Sequence, residues 1–450
     1  MSMRKRSRQL TEGFLPVQIL FFALPLMASN LLQVLFNMAD VAVVGRFAGS
    51  MALGAVGSTS ILVTLFTSFL IGIAGGINVL VARFYGEKNW DNLRRTVHTA
   101  LALCAIIGLV LFLVGQGGSP FFLRILGTRE ELYPGALLYL RIYFFGVPGL
   151  ALYNFGNSVY SAVGDTKRPL CCLTLAGILN LLLNLFFVIG LRLSVAGVAL
   201  ATVISQYFSA ALILGFLLRS RDVWSVRISE VRIDPLRAKR ILSLSLPTGF
   251  QNALFYMANL FVQAGVNSFS ATVVAGNAAA VNADSLVFEP MSAFYTACAT
   301  FVSQNYGAGK VDRIRKAYRI SLVYSVGAAL LVSALLVGFG RQFLGLFTAD
   351  EAVVEAGLIR LTIMGCSYAV SAFMDCSIAA SRALGKTILP TIFVVLGSCI
   401  FRIVWIYTVF AWLGTLQSLY LLYIFSWALT GIAETLYYRR VYRQQTAIFA

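Results

Sequence analysis

ARFYGEKNWDNLRR (82–95) and SQNYGAGKVDRIRK (303–316) are one loop written twice. At an offset of 221 residues they superpose Tyr85 on Tyr306, Gly86 on Gly307, Asp91 on Asp312 and Arg94 on Arg315. The same offset lays GDTKRP (164–169) on GKTILP (385–390), and the Leu-Pro pairs ending at Pro25 and Pro247 follow at an offset of 222. A single match of this kind arises by chance. Three separated blocks in nearly one register are an internal duplication, so the chain is two copies of one structural unit.

Composition says what that unit is made of. Of 450 residues, 59% are hydrophobic and 12% charged, with mean hydropathy +0.83. A soluble domain runs near 45–50% apolar and about 25% charged. A spanning helix needs roughly 20 predominantly apolar residues. Apolar runs bounded by charge or by Gly and Pro predict twelve helices, at about 15–40, 52–78, 95–116, 134–160, 170–190, 194–218, 241–267, 272–300, 318–340, 352–382, 388–412 and 417–438. The expected fold is an all-α polytopic membrane protein with two pseudo-symmetric six-helix lobes. By residue number these are a tail at 1–14, an N-lobe at 15–218, a basic linker at 219–240, a C-lobe at 241–438 and a tail at 439–450. Six helices per copy bring both copies to the same side of the bilayer, which predicts a pseudo-twofold axis along the membrane normal and a central cleft. The opening MSMRKRSRQL imitates a secretory signal, but the apolar run behind it extends through Asp40, too long for a signal peptide.

The net charge of +17 records orientation. Taking the N-terminus as inside, most Lys and Arg fall on inner segments: Arg4 to Arg8, Arg83 to Arg95, Lys167 and Arg168, the linker, Lys310 to Arg319, Arg382 and Lys386, and Arg439 to Arg443. Both termini are expected in the cytoplasm and the protein in the plasma membrane. The charge is spread over every inner loop and gathered on no one face, so no nucleic-acid partner is expected.

With His98 the single histidine, no His-based zinc site or Ser/His/Asp triad can be assembled without it, and a solvated or interfacial place is expected for it. The seven cysteines form no C-x-x-C pair and are expected as small core residues. No enzymatic constellation emerges and no cofactor is called for. IGIAGGINVL in the second helix has no strand before it that would make a phosphate loop, and reads as close helix packing.

LFNMADVAVVGRFAG (35–49), SQNYGAGK (303–310), the paired G-D-T-x-x-P and G-K-T-x-x-P loops, and LNLLLNLFFV followed by GVALATVISQ within 179–206 resemble the multidrug and toxin extrusion (MATE) family. The similarity is greatest to the prokaryotic branch that includes the DNA-damage-inducible F proteins. The resemblance covers residues 13 to 440 and implies two six-helix lobes and outward export coupled to an inward proton or sodium gradient.

A charge inside the bilayer costs at least roughly 2.5–3.5 kcal/mol on insertion scales, so each must face a partner or a cavity. Asp40, Asp284, Glu289, Asp375 and Glu434 fall in predicted helices. Glu434 lies about one turn before Arg439 and Arg440 and is expected to pair with them at the inner interface. Asp40 stands alone in an apolar helix, where a carboxyl can take up and release a proton as its surroundings change, and the resemblance places it at the family's helix-1 acid. Asn180 and Asn184 share a helix face at i and i+4; with Asp40 and Thr202 they supply oxygen ligands for a proton or sodium site. The family often carries aspartate where Asn184 stands, so one carboxylate fewer favours a proton. Asn154 and Asn157 are candidates to extend this network. In the second copy, equal helix depth predicts a buried Asp284–Arg402 pair. That leaves Asp375, which resembles the family's helix-10 acid, with Glu289 to meet a cation or a cationic substrate, and Gln251 stands near where some branches carry glutamate. The expected function is a monomeric secondary antiporter exporting amphipathic, cationic organic compounds in exchange for protons or sodium, with lipids as its surroundings. The alternative is a lipid or lipid-linked saccharide flippase, which a basic interior would favour.

Overall fold

A computed structural model describes residues 10–449; Arg4, Lys5, Arg6 and Arg8, used above to orient the chain, lie outside these. Among the described residues twelve long helices follow one another: α1 Leu15–Ala48, α2 Ser50–Gly86, α3 Trp90–Ile125, α4 Tyr133–Ala162, α5 Lys167–Gly190, α6 Ser194–Arg219, α7 Pro235–Val266, α8 Ala271–Gly307, α9 Val311–Gly338, α10 Glu351–Ala383, α11 Ile388–Leu413 and α12 Leu416–Thr446. Eleven are long and apolar enough to cross a membrane. The remaining one, α7, has comparable length, but Ser243, Ser245, Thr248, Gln251, Asn252, Asn259 and Gln263 interrupt its apolar run.

The duplication governs where helices stop. α2 and α8 have 37 residues each and begin and end 221 residues apart. Gly164 and Gly385 stand just beyond α4 and α10 with φ of 90° and 87°. This is a left-handed conformation that glycine adopts without a Cβ penalty, and it explains why both copies keep glycine there. Several helices outrun their predicted spans, with α2 reaching Gly86 and α3 starting at Trp90. Hydropathy reads only the apolar part of a helix, whereas helical hydrogen bonding continues into polar sequence: the side chain of Asn89 caps α3 by accepting from the Asn92 amide.

The chain forms two compact units, unit 1 from 28 to 249 and unit 2 from 10 to 27 with 250 onward. α1 and α7 each divide two residues after a proline, Pro25 and Pro247. Compared with a division at 15–218 and 241–438, the first stretches of α1 and α7 change places. Local packing accounts for it. In unit 2, the Leu10 amide donates to Gln304 Oε1 at 3.3 Å, and Arg313 reaches the carbonyls of Leu10 and Gly13. In unit 1, a Cβ on Gly72 would fall 2.5 Å from the Gly249 backbone, and one on Gly76 would fall 2.2 Å from Ser245 Oγ, whose hydroxyl donates to the Ile73 carbonyl. Gly72 and Gly76 of IGIAGGINVL therefore serve close packing of α2 on α7, as their sequence context predicts, while Gly75 faces open space.

His98 corrects its expected solvated place: it is 2% exposed. Its Nδ1 lies 2.7 Å from the Arg94 carbonyl and its Nε2 accepts from the Arg227 amide at 2.9 Å. Thr99 Oγ1 donates to the Arg232 carbonyl and accepts from the Asp234 amide, Arg94 pairs with Glu230, and Trp224 and Val226 are buried. The basic linker is thus clasped onto the first turns of α3. Five of the cysteines are buried as expected, but Cys171 and Cys366 lie on the surface.

Candidate functional site

In unit 1 the predicted polar site forms where α1 and α5 both leave regular α-helical winding. Val44–Ala48 and Leu185–Gly190 are π-helical turns, immediately beyond the helical segments that carry Asp40 and Asn184. Such turns recur at functional sites. Asn184 Nδ2 donates to Asp40 Oδ1 at 2.5 Å and to Asn180 Oδ1 at 3.2 Å. Asn184 is fully buried, and its own Oδ1 has no hydrogen-bond partner among the described residues. One amide therefore holds a carboxylate with its nitrogen while its oxygen stays unused. Tyr139 of α4, stacked on Tyr143 at 6.1 Å, lies within electrostatic reach of Asp40. Sequence reasoning did not select it, because a tyrosine in an apolar helix carries no signal until the bundle folds.

Hydrogen bonds join Asp40, Asn184 and Asn180, and Thr202 makes a different one. Its hydroxyl donates to the Val198 carbonyl one turn back at 3.0 Å, the local bond a helical threonine makes most readily. Asn154 and Asn157 also stay apart. Fifteen residues of α4 separate Tyr139 from Asn154, roughly 22 Å of helix. Asn157 instead accepts from Ser161 at 3.4 Å.

In unit 2 the expected Asp284–Arg402 pair is replaced by another. Asp284 pairs with Arg360 of α10, whose Nη1 donates to Asn277 Oδ1 at 3.0 Å and whose guanidinium lies 5.2 Å from the Tyr420 ring centroid. Equal depth places two groups at one level of a bundle, but which helix faces them is a matter of azimuth, and α10 turns Arg360 toward Asp284. Arg402 is fully buried, with no carboxylate partner among the described residues. Nη1 donates to Asn259 Oδ1 at 2.8 Å and Nε to Ser426 Oγ at 3.3 Å, while Phe255, Tyr423 and Trp427 surround the guanidinium at 4.7, 4.5 and 5.6 Å. Aromatic faces here supply the attraction a counter-ion would have given.

Asp375 accepts from Ser371 at 3.3 Å within α10, and Glu289 is half-buried on α8. Gln251 accepts from Arg382 Nη2 at 2.5 Å. Glu434 corrects its expected pairing at the interface: it is 0% exposed and forms no ion pair with Arg439 or Arg440, both of which are exposed. Arg360 and Arg382, each 5% exposed, were missed as interior cations because each lies near the end of a predicted helix, where basic residues ordinarily reach water.

A family model described as MatE matches residues 25–186 and 247–408, one match per repeat. The probable multidrug resistance protein YoeA of Bacillus subtilis is 28% identical over 381 residues, 82% of each chain. A protein of Shewanella oneidensis named FAD transporter is 27% identical over 339 residues, 74% of each. The solved structure of a MOP superfamily transporter from Pyrococcus furiosus, described as having a binding pocket of reverse polarity that suggests a different function, superposes with a TM-score of 0.91 at 21% identity over 99% of each chain. At that identity the likeness concerns the fold.

Proposed function

The chain belongs to the MatE family, and from that premise we propose that it is a secondary active antiporter of the cell membrane, with both termini cytoplasmic, that exports amphipathic cationic organic compounds in exchange for protons by alternating access. The observation that carries the coupling ion is the Asp40–Asn184 hydrogen bond in unit 1. Ionised, Asp40 accepts from Asn184 Nδ2. Neutral, it becomes a donor and requires an acceptor, which Asn184 Oδ1 provides once the amide turns over. A single buried amide thus has a partner for each protonation state, and the exchange moves α1 against α5 where both carry π turns. Sodium is favoured less: Asp40 is the single carboxylate among the four expected oxygen ligands, so the set carries one negative charge. The protein acts as a monomer on small organic molecules, with no cofactor beyond the coupling ion.

A second reading has an observation of its own. Arg360, Arg382 and Arg402 are all buried in unit 2, and Arg402 has no carboxylate partner among the described residues, so the interior is less acidic than the helical carboxylates alone suggest. An anionic substrate, such as a lipid headgroup or a phosphorylated cofactor like that in the name of the Shewanella relative, draws on this feature. The test is transport in proteoliposomes with an organic-cation dye and, separately, FAD, under a pH gradient and under a sodium gradient. Dye movement driven by the pH gradient supports the first reading, and FAD movement with an inert dye supports the second.

A further inference from the structure

Glu434 has no part in the chemistry above, and its surroundings are unusual. α10 and α12 approach closely at this level. A Cβ on Gly431 would lie 3.4 Å from Met374 Cβ, and Thr435 Oγ1 lies 3.0 Å from Ser377 Oγ. Glu434 is sealed beside this contact at 0% exposure, and neither carboxyl oxygen has a hydrogen-bond partner among the described residues. An ionised carboxylate left so costs several kcal/mol, so this arrangement belongs to the neutral acid.

The groups that face it are few. From α10 come Arg382 and Asp375, and from its own helix Tyr437. α7 and α8 contribute Gln251 and Tyr295 through Arg382, and α11 contributes Thr391 in the same way. The ionisable groups of α11 turn elsewhere: Cys399 and Arg402 interact with one another, Arg402 bonds Ser426, two turns from Glu434, and Tyr407 is exposed. Arg382 is spread over three partners: Nη1 donates to Tyr295 at 2.9 Å, and Nη2 donates to Gln251 at 2.5 Å and Thr391 at 3.5 Å. Its Nε is buried and has no hydrogen-bond partner among the described residues. Two carboxyls thus lie within electrostatic reach of one guanidinium that bonds neither of them, and a proton on Glu434 lowers the negative charge around it.

We propose that Glu434 is a proton-binding site of unit 2, separate from Asp40, and that its deprotonation draws Arg382 away from Gln251 and Tyr295. The proton then decides which helices Arg382 ties together: α7 and α8 to α10 when Glu434 is neutral, α12 to α10 when it is ionised. Gln251 holds the guanidinium in the first state without adding charge. The inference rests on the proton-coupled reading for its place in the cycle, but proton binding is measurable without transport.

The test is pH-difference infrared spectroscopy of the purified protein in lipid nanodiscs, following the protonated-carboxyl band. Glu434→Gln is isosteric with the neutral acid and should fold as the parent does. The wild type should show a titrating band that Glu434→Gln removes and Asp40→Asn leaves in place. A spectrum of Glu434→Gln identical to the wild type overturns the site. Gln251→Leu keeps Glu434 and tests the switch: it releases Arg382, so the midpoint of the Glu434 band should move to lower pH by about one unit, tenfold in proton affinity. An unmoved midpoint overturns the exchange of partners. A wild type inert to pH gradients in proteoliposomes counts against the antiport reading while leaving the infrared result standing.

Discussion

Removing the Asp284 carboxylate tests the interior electrostatics of unit 2. In Asp284→Ala, Arg360 stays 5% exposed with its charge uncompensated. Breaking a buried pair by deleting one member costs about 3–5 kcal/mol. The Asn277 acceptor at 3.0 Å and the Tyr420 ring at 5.2 Å survive the change; a cation–π contact of this kind retains on the order of 1–2 kcal/mol, which puts the expected loss near the lower bound, about 3 kcal/mol, or roughly two orders of magnitude in the folding equilibrium. Removing both charges in Asp284→Leu with Arg360→Met should recover most of that loss, because replacing a buried pair by apolar groups of similar volume is often neutral or better. The assay is denaturant-induced unfolding in mixed micelles, scored as a double-mutant cycle. Adding Arg402→Met to Asp284→Leu should bring no recovery, since Arg402 bonds Asn259 and Ser426. Recovery by the Arg402 combination and none by the Arg360 combination would refute the pairing, as would an Asp284→Ala loss below about 1 kcal/mol.

Gly76→Val should pry α2 from α7 within unit 1, since even a Cβ there falls 2.2 Å from Ser245 Oγ; a loss of about 1–3 kcal/mol is expected from overpacking, with Gly57→Ala, which meets nothing within 4 Å, as the silent control in a thermal-shift assay. His98→Phe removes the acceptor of the Arg227 amide, so amide hydrogen exchange across residues 224–234 should speed up by about tenfold, the equivalent of one buried hydrogen bond; unchanged exchange would show that Trp224 and Thr99 hold the linker without it.

How much of this could be read from the sequence depended on whether the signal was local. The duplication was legible because Gly164 and Gly385 must end helices in a left-handed turn, and that need is written in a residue type. Asp40, Asn180 and Asn184 were legible because two of them share a helix face at i and i+4, and a lone carboxylate in an apolar run must find a partner. The hydrogen bond of Thr202 has an equally local cause, its own helix offering the Val198 carbonyl as acceptor. Arg360 pairing with Asp284, and Glu434 closing against α10, depend on how neighbouring helices are rotated about their axes, which no single-chain periodicity specifies. His98 misled because it follows a basic run that suggested water, whereas the linker folds back over it.

The central claim is that a proton on Asp40 drives export. Its most direct measurement is accumulation of an organic-cation dye in proteoliposomes of fixed orientation, under a pH gradient alone and a sodium gradient alone, for wild type and Asp40→Asn. Transport is expected with the pH gradient and not with sodium, with loss of the proton-driven component in Asp40→Asn. Sodium-driven uptake in the wild type, or undiminished proton-driven uptake in Asp40→Asn, would contradict it.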